Sequence, residues 1–160
     1  MIKATKTNPD AEHVKRLKAR WTAPLIDAGY TVIPNAILLR QQALGLDSVD
    51  LNIIAQIASY WWSPDKLPFP SKETIAKAIG VKDKSTVRKR LAALEKANLI
   101  HRIERPGRHG GNDSNAYDLN PLIKAATPYA LEMIQEIEAK SAAKVAKLSK
   151  KGKPLLKAVK

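Results

Sequence analysis

The sequence predicts a mainly α-helical chain with one small β-hairpin and a helix flanking it at each end. Three observations carry that expectation. Apolar residues recur at spacings of three and four in most segments, the period of an amphipathic helix. Residues 99–104 alternate instead, LIHRIE, and a glycine-rich polar loop, RPGRHGGNDSN, follows them. Breakers at Gly29, Gly45, Pro64 and Gly80 separate the periodic segments.

The elements follow in order. Asn8, Pro9 and Asp10 start a helix in which Val14, Leu17 and Trp21 form one stripe. Asn35 opens a short helix, NAILLRQQAL, closed by Gly45. Ser48 is expected to cap the next helix, VDLNIIAQIASYWW. Its buried stripe is Leu51, Ile54, Ala55 and Ala58, widened by Ile53 and Ile57, and Trp61 and Trp62 are read as core at its end. The connector Leu67-Pro68-Phe69-Pro70 must be stiff and extended.

Ser71 then caps a helix with Ile75, Ala76 and Ile79 inward, and Gly80 takes the left-handed position that ends it. Asp83 caps the following helix over residues 84–97. There Val87, Leu91 and Leu94 lie within about 60° of one another on the helical wheel. Residues 116–119 supply the returning strand, and Pro128 is expected to open a last helix with Leu131, Ile134 and Ile137 along one edge. These boundaries divide the chain into a basic N-terminal helix or arm (1–20), a central domain (21–125), a C-terminal helix (126–149) and a basic tail (150–160).

The order of helix, extended link, helix, tight turn, helix and hairpin is that of a winged helix-turn-helix, in which the second helix of the pair enters the DNA major groove. Charge agrees. The 160 residues carry 28 Lys+Arg against 15 Asp+Glu, a net +13. The excess sits in residues 1–20, 65–125 and 126–160, while residues 21–64 are slightly acidic. Such a balance points to a polyanionic partner. No cysteine is present, which fits a reducing cytoplasm and excludes cysteine metal sites. No apolar run is long enough to span a membrane, and the N-terminus lacks a signal-peptide core.

The wheel assigns roles. With Val87 inward, Ser85, Lys89 and Lys96 fall about 160–200° away and Arg88 about 100° away. Ser85 and Thr86 lie in the first turn, where free N–H groups can meet a phosphate. Arg88 and Lys89 are the candidates for guanine O6 and N7. Lys84 is a rim residue, and Lys72 on the preceding helix is expected to hold the backbone. In the hairpin loop, Arg105, Arg108 and His109 are candidates for the minor groove or its phosphates. A basic face on an amphipathic helix is ordinarily just solvated. Its coincidence with a tight turn, a wing and a chain-wide excess favours contact with double-stranded DNA.

The segments SYWW, LPFPSKETIAKAIGV, STVRKRLAALEKANLI and SNAYDLNPLI resemble the helix-turn-helix proteins of phages, plasmids and other mobile elements. They are similar to the N-terminal domains of replication initiators and, more distantly, to MarR-like and GntR-like repressors. The resemblance covers residues 20–130. It implies sequence-specific duplex binding, with residues 84–89 at the groove. GVKDKSTV departs from the commoner GVSxSTV by one added residue before Thr86.

No catalytic constellation or cofactor motif is found. His13, His101 and His109 are scattered, and neither GxxxxGKS nor GxGxxG occurs. Three binding roles remain. One is a transcription regulator pairing as a homodimer through its terminal helices. Another is a replication or partition factor that binds repeats and recruits a host or element-encoded protein. The last is a non-catalytic adaptor within a larger complex.

Overall fold

Two aspartates three residues apart start the central helix. The computed structural model describes residues 9–106 and 114–151, with side chains for 10–106 and 114–147. Asp47 Oδ1 accepts from the amides of Val49 and Asp50, both at 2.9 Å, and Asp50 Oδ2 accepts from the Asp47 amide at 3.2 Å. This reciprocal box fixes the N-terminus of α4 (Ser48–Ser59). The cap is therefore Asp47 rather than Ser48. A carboxylate satisfies two orphan amides and suits the positive end of the helix dipole.

Before α4 come α1 (Pro9–Trp21), α2 (Ala23–Asp27) and α3 (Asn35–Leu39). α1 packs on α2, with Lys18 Nζ 2.6 Å from Asp27 Oδ1. The expected helix from Asn35 stops at Leu39. Residues 40–45 form turns, and Gly45 adopts φ 71°.

α4 ends at Ser59, short of the two tryptophans. Trp61 packs against the core, but Trp62 is 82% exposed, which corrects the reading of both as core. The innermost side chains of α4 are Ile53, Ile54 and Ile57, while Leu51, Ala55 and Ala58 are only half-buried. The stripe is thus rotated from the one the spacing suggested, because α5 and α6 both pack on this helix.

α5 (Lys72–Ile79) and α6 (Lys84–Lys96) end by one device. After α5, Gly80 is left-handed at φ 73°, with Val81 N bonded to Ala76 O and Gly80 N to Lys77 O. After α6, Asn98 takes φ 54°, with Leu99 N bonded to Leu94 O and Asn98 N to Glu95 O. Each pair of bonds closes the last carbonyls of its helix and turns the chain sharply.

β1 (His101–Ile103) pairs antiparallel with β2 (Ala116–Asp118), with Arg102 opposite Tyr117. α7 (Asn120–Lys151) follows at once. It begins at Asn120, whose amide donates to Asp118 Oδ1, and not at Pro128, which lies inside it. Burial of Leu122 and Ala126 against the core sets the earlier start. Pro128 is exposed, so water can serve the carbonyl its missing N–H leaves free.

One apolar cluster joins the elements from α4 onward: Ile53, Ile54 and Ile57 of α4, Ile75 and Ala76 of α5, Val87, Leu91 and Leu94 of α6, Ile100 and Tyr117 of the hairpin and its approach, and Leu122 of α7. The fold is a winged helix-turn-helix with flanking helices. No described helix is long and apolar enough to cross a membrane. Leu91 is fully buried at the centre of this cluster. Leu91→Ala is expected to cost about 2–5 kcal/mol, read as a lower urea midpoint at unchanged slope.

Candidate nucleic-acid interface

The inner face of α6 is sealed, with Val87 and Leu91 both at 0% exposure. Its opposite face therefore has no freedom to rotate inward. On that face Lys89 and Lys96 are exposed, as are Ala92 and Ala93, while Arg88 and Lys84 are exposed on the flank of the helix. Arg88 and Lys89 make no ion pair among the described residues.

Asp83 holds the start of α6. It accepts from the Ser85 amide at 2.8 Å and from the Ser85 hydroxyl. Those two bonds, and then the nearby Lys89 and Arg88, hold its carboxyl below the usual range, so the cap stays ionised. Val81 and Lys82 lead from the left-handed Gly80 to the Asp83 cap.

Arg90 behaves differently from its two neighbours. Its guanidinium lies 2.5 Å from Asp47 Oδ2 and 3.6 Å from Asp50 Oδ1. Burial pushes the Asp50 carboxyl up, whereas the Asp50 amide, followed by Arg90, draws the Asp47 carboxyl down. Arg90 is thus committed to the cap of α4 and ties the two helices together. The signal was present in the sequence, since Arg90 lies about 60° from Val87 on the wheel.

The wing is anchored from both sides. Glu95 on α6 accepts from the Arg102 amide at 3.1 Å and from Arg102 Nε at 2.7 Å, which pins β1 to the helix. On the other side, the connector acts as a third rail. Pro68 O accepts from the Tyr117 amide at 2.9 Å, and Phe69 O accepts from the Ser114 hydroxyl at 2.8 Å. Arg105 stacks on the Phe69 ring, 4.0 Å from its centroid, and reaches Ser114 O at 3.4 Å. It therefore braces the base of the wing. Arg108 and His109, the other two wing candidates, lie outside the described residues.

Lys72, Lys84, Ser85 and Arg88 converge on one cleft between the starts of α5 and α6, together with Ser114, Asn115 and Tyr117 from the wing. Thr86 is half-buried in the first turn of α6, and Lys96 stands at the far end of the helix. The wing members were not singled out from the sequence. Nothing in their spacing says that β2 returns beside the two helix starts.

Comparison with known proteins gives one clear result. Residues 44–100 match the family model of a helix-turn-helix domain. The match begins just before α4 and ends as the chain enters β1, so it contains the whole helix-turn-helix, including both left-handed turns. No curated protein matches the chain. Among solved structures, the chain is similar to a "possible transcriptional regulator" from Methanosarcina mazei Go1, at 22% identity over 66% of this chain and 85% of that one, TM-score 0.38. It is also similar to a multiple antibiotic-resistance repressor (MarR) from Listeria monocytogenes 4b F2365, at 19% identity over 95% and 100%, TM-score 0.39. Likenesses this distant say nothing of what the chain binds. Among the described residues no group of three or more His, Asp or Glu is placed to hold a metal ion.

The Glu95–Arg102 clamp makes a pH prediction. Glu95 titrates below its ordinary value of 4.5, first because the Arg102 side chain donates to it. A depressed carboxylate contributes stability at neutral pH and loses it as pH falls through the lowered value. Glu95→Gln should cost about 1 kcal/mol at pH 7, and the gap from wild type should close below pH 4.5 in denaturant melts.

Proposed function

We propose that this protein binds double-stranded DNA sequence-specifically through its winged helix-turn-helix, as a transcription regulator of a phage, plasmid or other mobile element. One observation carries the proposal: Arg88 and Lys89 stand exposed and without an ion pair, among the described residues, outside the sealed core side of α6. Spare cations on a helix whose orientation is fixed suit recognition of base edges. Arg90, next in sequence, is spent on structure and is assigned no such role.

The division of labour follows from position. Arg88 and Lys89 read bases, while Lys72, Lys84, Ser85, Thr86 and Lys96 hold phosphates. Arg105, together with Arg108 and His109, serves the wing. In this reading residues 21–125 are the DNA-binding unit, and residues 1–20 and 126–160 serve assembly and nonspecific attraction. The mobile-element setting rests on the sequence resemblance.

A homodimer completes the proposal. α7 is about 48 Å long, yet Ala126 is its last buried residue among those described. Beyond it Leu131, Ile134, Ile137 and Val145 leave an apolar edge in water, with Ile134 50% exposed. A stripe of this kind favours a partner helix. Glu132, Glu136 and Glu138 precede Lys140, Lys144 and Lys147, so antiparallel pairing of two copies sets the acidic half of each against the basic half of the other.

Two measurements test the reading. With a duplex flanking its own gene, Arg88→Ala combined with Lys89→Ala should abolish the specific gel shift. Lys72→Ala should weaken all duplexes alike and lower the salt slope by about 1. Unchanged specific binding in the double variant would remove the assigned roles, and a footprint over direct repeats would favour a replication or partition factor. For assembly, Ile134→Lys should convert a dimer to a monomer in sedimentation, with folding unchanged because the side chain lies outside the core.

A further inference from the structure

Between two prolines the chain displays an aromatic ring that the core does not use. Pro68 and Pro70 are buried, whereas Phe69 between them is 53% exposed. A residue before proline is confined to extended backbone, and successive side chains of an extended segment take opposite sides. The segment is held by the Tyr117 amide bonded to Pro68 O and the Ser114 hydroxyl bonded to Phe69 O. The ring is therefore kept outside the core, on a rigid support.

A cation lies on that ring, with Arg105 Cζ 4.0 Å from its centroid. Arg16, Arg40, Arg90 and Arg102 each pair with a carboxylate. Arg105 pairs with none among the described residues. Its one hydrogen bond there runs from Nη1 to Ser114 O at 3.4 Å. A guanidinium carries five N–H donors in one plane, so most of these are uncommitted. Ser114 also lines the cleft with Lys72 and Arg88, which sets Arg105 beside the helix starts that meet DNA in the reading above.

The contact is surplus to holding the wing. Glu95 already pins β1 through Arg102, and the connector already bonds the other strand. A cation on a half-exposed ring also adds little stability. Its larger consequence is restriction. An arginine already held in one place loses less side-chain freedom when it binds a partner. The guanidinium is weakly hydrated, which suits the narrow, strongly negative minor groove of A·T-rich DNA.

We propose that Phe69 is a positioning residue for DNA recognition: its ring holds the Arg105 guanidinium so that it enters the minor groove beside the major groove occupied by α6. Phe69 acts through Arg105 and makes no base contact of its own. The inference rests on the DNA-binding reading above and adds to it a second, A·T-selective contact, whose residues come from the connector and the base of the wing.

The test uses the full-length protein and a duplex that the wild type recovers from a random-sequence pool. Affinity is measured for that duplex and for one with G·C pairs replacing the A·T pairs that flank the α6 footprint. Phe69→Leu keeps an apolar side chain of similar reach but removes the π face. It should melt like the wild type, lose affinity about fivefold, the scale of one cation–π contact, and lose the A·T preference. Phe69→Tyr restores the ring and should restore both. Adding Arg105→Ala to Phe69→Leu should cost no more than Arg105→Ala alone, since the two residues act as one unit.

Wild-type affinity and A·T preference in Phe69→Leu would overturn the role, as would fully additive losses in the double variant. Either result leaves specific binding through Arg88 and Lys89 standing. Recovery of no preferred duplex by the wild type would instead remove the DNA-binding reading, and this role with it.

Discussion

The burial of Val87, Leu91 and Leu94 against Ile53, Ile54, Ile57 and Ile75 is the constraint from which the rest of the molecule takes its orientation. A helix with one fully sealed face cannot roll without exposing that face to water. Each of these side chains contributes roughly 1.5–3 kcal/mol by its burial, so even a modest rotation is costly. The cationic face is outward because the aliphatic face is inward. The start of α6 is set by the Asp83 carboxylate and its end by the left-handed Asn98, so axial position and rotation are both specified.

The wing is tied into the same frame. Glu95 reaches from α6 to the Arg102 of β1, and the proline-rich connector hydrogen-bonds to the Tyr117 and Ser114 side of the hairpin. A hairpin of two three-residue strands is too small to be stable alone. Here it borrows rigidity from a helix on one side and from an extended segment on the other. Arg90 supplies a third tie, between α6 and the cap of α4. Such ties separate the basic residues that act as structure, Arg90 and Arg102, from those left over, Arg88 and Lys89. Charge count alone does not make that separation.

α7 has a different energetic character. Its first two turns are core, through Leu122 and Ala126, and the described remainder beyond Tyr129 is largely exposed. The Tyr129 hydroxyl lies 3.5 Å from Ala43 O, and Arg40 pairs with Glu136 at 3.4 Å, so the turns after α3 steady its middle. An exposed interior proline is tolerated in such a helix. The Thr127 hydroxyl donates to the Ile123 carbonyl at 2.7 Å and water is available to its neighbours.

By itself the sequence determined most of the local structure. Alternation and period separated the hairpin from the helices, and Ser71, Gly80 and Asp83 marked their own positions because caps and left-handed turns are satisfied within a few residues. The inward set on α6 was legible because three apolar residues on one arc leave no alternative. Long-range packing decided the remainder. It moved the buried stripe of α4 toward Ile53 and Ile57, left Trp62 in solvent, started α7 eight residues before Pro128, and turned Arg90 into a strut. It also brought Tyr117 beside two helix starts. None of these follows from neighbours in the chain, because each is a choice between partners that the sequence keeps dozens of residues apart and only folding brings within reach.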